Sequence, residues 1–171
     1  MPTTPTNPLI AVDANVVMDL GGESESVMDA LATIRRRLPS SHIIIPPTAK
    51  LELIHIAREG DTTDDREAAA KGIIAARRLG IVPVNLMPVG HGIVELVAEK
   101  LRIANLIPDS EVNDSELLAE SAFIGARLLL SSDEHLRGIN FEQLTIELQN
   151  FDLTAPVIAT PREVVRKFFL H

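Results

Sequence analysis

Short apolar runs alternate with helix-patterned stretches along this chain, and that alternation limits the folds open to it. Leu9-Ile10-Ala11-Val12, His42-Ile43-Ile44-Ile45, Ile81 to Leu86, Leu128-Leu129-Leu130 and Val157-Ile158-Ala159 each have the length and apolar content of a strand. Helix-like stretches separate them. The segment from about Ser26 to Leu38 carries Val27, Met28, Leu31, Ile34 and Leu38 at helical spacing, and Pro39-Ser40-Ser41 ends it. Five strand-plus-helix units predict an α/β fold, a three-layer α/β/α sandwich around a mainly parallel central sheet of about five strands.

Turn and cap residues place the boundaries. Pro46-Pro47 leads into a helix for which Thr48 is the expected cap. A helix from Asp65 to Leu79 ends at Gly80, a residue suited to the C′ position. Pro83 cannot donate to a ladder, so its strand belongs at a sheet edge. Further helices are expected from about Gly92 to Leu106 and from Asp114 to Ala126. Thr160-Pro161-Arg162-Glu163 reads as a capping box with proline at the first helical position, opening a last helix to Leu170.

The 171 residues, 46% hydrophobic and 23% charged, suit one well-packed domain, expected over residues 9–171. Residues 1–8 have neither a basic start nor an apolar core and read as a short flexible lead. No apolar run approaches the roughly 20 residues that span a bilayer. With no cysteine, disulfides, thiolate metal sites and cysteine nucleophiles are excluded, and a cytoplasmic location is expected. A formal net charge of −8 argues against a protein that coats nucleic acid electrostatically. Local patches would have to hold a polyanion, and Arg35-Arg36-Arg37 and Arg77-Arg78 are the candidates; each also fits a solvated helix face.

Four acids mark the ends of these elements. Asp13 ends the first strand, and Asp133 follows Leu128-Leu129-Leu130-Ser131-Ser132, so both carboxylates should emerge at strand C-termini, where open parallel sheets place their ligand crevices. Glu52 comes one turn into the helix after the second strand, and Asp114 opens a later one. Four carboxylates gathered in a cleft repel one another unless a cation neutralises them. All-oxygen donors favour magnesium or manganese, and such sites commonly take substrate phosphates, so the expected substrate is a phosphate ester.

Ala11-Val12-Asp13-Ala14-Asn15-Val16, Glu52 within Thr48-Ala49-Lys50-Leu51-Glu52-Leu53, the stretch Asn113-Asp114-Ser115-Glu116-Leu117-Leu118-Ala119-Glu120-Ser121-Ala122, Leu129-Leu130-Ser131-Ser132-Asp133, and the closing Ile158-Ala159-Thr160-Pro161-Arg162-Glu163 together resemble a PIN domain. The resemblance runs from Leu9 to Phe169. It implies a metal-dependent ribonuclease in which Asp13, Glu52, Asp114 and Asp133 hold one or two Mg²⁺ or Mn²⁺ ions around the scissile phosphate, with no side-chain nucleophile. Asn15 and Ser132 would support them, Ser132 by orienting a carboxylate or a water; Ser131 fits a hydroxyl that satisfies a nearby turn.

Glu116 and His135 are possible additional site residues, with Asp109 and Glu111 nearby. Glu116 follows Asp114 by two positions, which points it away on a helix. His42, His55, His91 and His171 have no metal-ligand spacing among themselves. Compact proteins that resemble this one are often VapC-like toxins, which implies RNA as substrate, a small antitoxin as partner and a homodimer, with the apolar surface of the helices over 16–38 and 43–56 as interface. Five Phe, no Tyr and no Trp leave little material for stacking unpaired bases. The alternative reading is a catalytically inactive PIN-like module that binds RNA or protein, with the acids kept as structural caps; a hydrolase with Asp13 as covalent nucleophile lacks its usual second acid, since position 15 is Asn.

Overall fold

The computed structural model describes residues 7–169, so most of the expected flexible lead, Leu170 and His171 lie outside the described residues. Five strands, β1 (Leu9–Val12), β2 (His42–Ile45), β3 (Val82–Pro83), β4 (Ala126–Leu130) and β5 (Val157–Ala159), form one sheet in the order β3-β2-β1-β4-β5. Every pairing is parallel. The central strands are apolar almost throughout because helices cover both faces, and Ile10, Ala11, Val12, Ile43, Ile44, Ile45, Leu129 and Leu130 are buried. β3 is at the edge, as Pro83 requires, and is only two residues long.

The helices are α1 (Ala14–Gly21), α2 (Glu25–Arg37), α3 (Pro47–Glu59), α4 (Thr63–Arg78), α5 (Pro88–Ile103), α6 (Val112–Ile124), α7 (Glu134–Arg137), α8 (Phe141–Gln149) and α9 (Pro161–Phe169). The capping box at α9 is present, with the Thr160 N–H donating to Glu163 and the Glu163 N–H donating to Thr160 Oγ1. Gly80 follows α4 with φ 71°.

Several boundaries differ from expectation, each for a local reason. α1 starts directly after β1 with no polar break, because Asp13 itself is the cap. α7 has four residues, too few to show periodicity, and α8 is opened by Asn140, whose side chain accepts from the Gln143 N–H. α5 begins at Pro88, which occupies a first-turn position, and ends at Ile103. Asp114 does not open its helix: α6 starts at Val112 and closes at Ile124, and Gly125 (φ 82°) turns the chain so that Ala126 already begins β4. Leu128 is therefore a strand residue. Thr48 is not the cap of α3 either, since Pro46 precedes the helix and Thr48 lies inside its first turn.

The segment over 60–80 is a structural part of the domain. α4 crosses α1 where Gly21 and Gly72 meet: a methyl group at Gly21 would run into Ala68 and Gly72 backbone, and one at Gly72 into the Val17 carbonyl. Glycine permits this approach because it has no Cβ. Of the faces expected to join two copies, Val16, Val17, Val27, Leu31, Ile34, Ala49 and Leu53 are instead in the core, leaving Met28 and Leu51 as the large exposed apolar residues there. No helix among the described residues is long and apolar enough to cross a membrane.

Candidate active site

The register of β1 against β4 builds the site. Val12 pairs with Leu130, and the ladder continues one step, the Asp13 N–H donating to the Leu130 carbonyl and the Ser131 N–H to the Ala159 carbonyl. Asp13 and Ser131 thus leave neighbouring strands at the same level, where the chain order reverses in the sheet and ligand crevices form. Ser131 Oγ, fully buried, donates to Asp13 Oδ2 at 2.6 Å and accepts the Asp133 N–H at 3.0 Å. Asn15 Nδ2 donates to Asp13 Oδ2 at 2.9 Å, and Asn15 Oδ1 accepts the Ser132 N–H at 3.3 Å.

The hydroxyl that braces Asp13 is therefore that of Ser131, and Ser132, whose side chain is exposed, contributes its backbone N–H. Sequence reasoning gave the greater role to Ser132. Alternation along the strand gave no signal here, because Leu129 and Leu130 point to opposite faces and both are fully buried.

Asp133 caps α7, accepting from the His135 N–H at 2.7 Å and the Leu136 N–H at 3.4 Å. Asp13 caps α1 in the same manner, taking the Ala14 N–H at 2.6 Å. Asp114 lies in the first turn of α6 and Glu52 in the second turn of α3. The charges of Asp13 and Asp133 reach both Glu52 and Asp114. Burial is the largest cause that raises Asp13, which the Asp133 charge raises further against the opposing bonds from Ser131, Ala14 and Asn15. Burial, then Asp13 and Asp133, raises Glu52. Asp114 is pushed up to about 7 by burial and by Asp133, Asp13 and Glu111, with His135 acting in the opposite direction.

His135 enters this pocket. Its Nδ1 is 3.6 Å from Asp114 Oδ2, 3.6 Å from Asp133 Oδ1 and 3.9 Å from Glu111 Oε2. Glu111, Asp114 and His135 can each bring a donor atom within 4.8 Å of the others. Glu116 lies near Glu120, whose carboxyl its charge raises. His55 pairs with Glu59 on the exposed side of α3, and His42 contacts Asn7. Beside the acids, Asn15, Ser132, Asp133, Glu134 and His135 line a cleft of about 390 Å³.

The donor set fits a hard divalent cation. Asp114 Oδ2 is out of contact with solvent and accepts no hydrogen bond, an arrangement that costs free energy unless a positive group faces it. Carboxylate oxygens are ligands that Mg²⁺ and Mn²⁺ accept, and the imidazole of His135 suits manganese better than magnesium.

Sequence reasoning passed over Glu120. It is buried, and its carboxylate accepts the Thr48 N–H at 3.0 and 3.2 Å and the Thr48 hydroxyl at 2.8 Å. The signal was a charged residue inside the apolar stretch Leu117-Leu118-Ala119-Glu120-Ser121-Ala122, a position at which an acid needs a partner.

A crystal structure of VapBC2 from Rickettsia felis, bound to a DNA fragment from the promoter, contains a chain similar to this one, with a TM-score of 0.61 over 89% of this chain and 98% of that chain. The fold is PIN-like. The two sequences are 11% identical, so the likeness is one of fold. No protein-family model and no curated protein matches the sequence.

Proposed function

We propose that this chain is a divalent-metal-dependent endoribonuclease that hydrolyses RNA phosphodiesters, acting as a single domain over residues 9–171. What supports the reading is that Asp13 and Asp133 follow neighbouring parallel strands and that their charges act on both Glu52 and Asp114, with three of the four acids raised in pKa. When bound, one or two Mg²⁺ or Mn²⁺ ions supply charge neutralisation at the phosphate and make an attacking water easier to deprotonate. Asp13 and Asp133 hold the ligand oxygens at the strand ends; Asp114 and Glu52 close the cluster from the helices. Ser131 and Asn15 fix the rotamer of Asp13, as the partners of ligating carboxylates commonly do.

The likeness to a chain of VapBC2 supports the toxin of a toxin–antitoxin pair, with an antitoxin as its partner. The test is cleavage of end-labelled structured RNA with Mn²⁺, Mg²⁺ or EDTA, beside Asp13→Asn and Asp114→Asn. Cleavage that requires metal and is lost in both variants supports the reading; cleavage insensitive to either, or none, overturns it.

One observation favours a second reading, an inactive PIN-like binding module: Asp13 and Asp133 each cap a helix and so have structural work without a metal. That module would bind Mn²⁺ no better than its Asp114→Asn variant.

A further inference from the structure

We propose that Glu120 and Thr48 form a clamp that ties α3, which carries Glu52, to α6, which carries Asp114, making Glu120 a positioning residue of the metal pocket. The inference rests on the metal-pocket reading above and assigns a role to Glu120, which among the described residues is the buried acid that reading leaves unused.

The clamp joins the helix that carries Glu52 to the helix that carries Asp114. Glu120 is on α6, six residues past Asp114; Thr48 is in the first turn of α3, four residues before Glu52 and therefore on the same face of the helix. Pro46 offers α3 no side-chain cap, and Pro47 fills the first helical position. The free N–H at the start of α3 is met by a carboxylate from another helix, placed where the partial positive charge of the helix end favours it. A local Ser, Asp or Asn would satisfy the same donor without burying an acid. The remote acid adds a fixed distance between two helices.

Glu52 depends on that distance. Its carboxylate makes no hydrogen bond among the described residues, whereas Asp13 has three partners and Asp133 caps a helix. Where Glu52 sits is thus decided by where α3 sits. The clamp holds the start of α3 through two donors on Thr48, one turn from Glu52. Burial raises the Glu120 pKa and the Thr48 bonds oppose the rise, as expected for a carboxylate whose ionised form is held by those donors.

The test uses Glu120→Gln, Glu120→Ala and Thr48→Val in the full chain, with Mn²⁺ affinity measured by calorimetry and RNA cleavage resolved into kcat and KM, at a temperature where circular dichroism shows each variant folded. A supporting result is a fall in Mn²⁺ affinity of about 10- to 100-fold in Glu120→Ala, an intermediate fall in Thr48→Val, partial rescue in Glu120→Gln, and lower kcat with KM unchanged. Should Glu120→Ala not fold, the other two variants decide. Folded variants with wild-type Mn²⁺ affinity overturn the clamp and leave the nuclease reading standing. Weakened Mn²⁺ binding in a chain that cuts no RNA sustains the clamp and removes the nuclease. A wild-type chain that binds no Mn²⁺ overturns both.

Discussion

Ser131 Oγ is 2.6 Å from Asp13 Oδ2 while the same oxygen accepts the Asp133 N–H, so one buried hydroxyl ties the ends of β1 and β4 to the cap of α7. Ser131→Ala removes the donor to a buried carboxylate and the acceptor for a backbone N–H. The expected loss is about 2–3 kcal/mol of stability, read by urea unfolding, with a larger fall in Mn²⁺ response than Ser132→Ala produces. Equal behaviour of the two variants would contradict the assignment of the brace to Ser131.

The Asp114 carboxyl, pushed up to about 7 from its ordinary 3.8, makes stability depend on pH in a defined direction. The folded chain holds this proton where the unfolded chain has released it, so the contribution favours folding fully below 3.8 and is lost as pH rises through about 7. Asp13 and Glu52 shift in the same direction. The melting temperature of the metal-free protein should fall between pH 5 and pH 8, less steeply in Asp114→Asn, and added Mn²⁺ should restore more of it at pH 8 than at pH 5. Identical pH profiles for the two proteins would argue against the raised carboxyl.

His135 lowers the pKa of Asp114 through its proximity. In His135→Ala the Asp114 carboxyl should titrate above about 7, followed by carbon-13 NMR of the side-chain carboxyl. An unchanged midpoint would remove His135 from the pocket's electrostatics.

The strands were legible because a parallel sheet covered on both faces leaves continuous apolar runs such as Ile43-Ile44-Ile45, and Pro83 marked the edge. The four acids stood out in the sequence for a related reason, since each sits at or near an element boundary. What escaped depended on contacts between distant residues. Thr48 looks like a local cap, and only the arrival of Glu120 from 72 positions away turns it into a donor. Ser131 and Ser132 are interchangeable as letters after a strand buried on both faces, and only the contacts with Asp13 and Asp133 separate them. α1 was hidden because the residue that caps it is also the first acid of the site.

Gly72 has no room for a side chain beneath the Val17 carbonyl. Gly72→Ala should destabilise the fold by about 1–3 kcal/mol or more through overpacking, although alanine is the better helix former. Thermal or urea unfolding gives the sign directly, and a stabilised Gly72→Ala would mean that α1 and α4 separate easily.

The central claim is that four acids form one cation pocket. Calorimetric titration of Mn²⁺ into the wild-type protein and into Asp13→Asn, Glu52→Gln, Asp114→Asn and Asp133→Asn tests it most directly. Each variant should fold and lose at least about tenfold in affinity, roughly 1.4 kcal/mol. Wild-type affinity in Glu52→Gln or Asp114→Asn, or no Mn²⁺ binding by the wild-type chain, would contradict it.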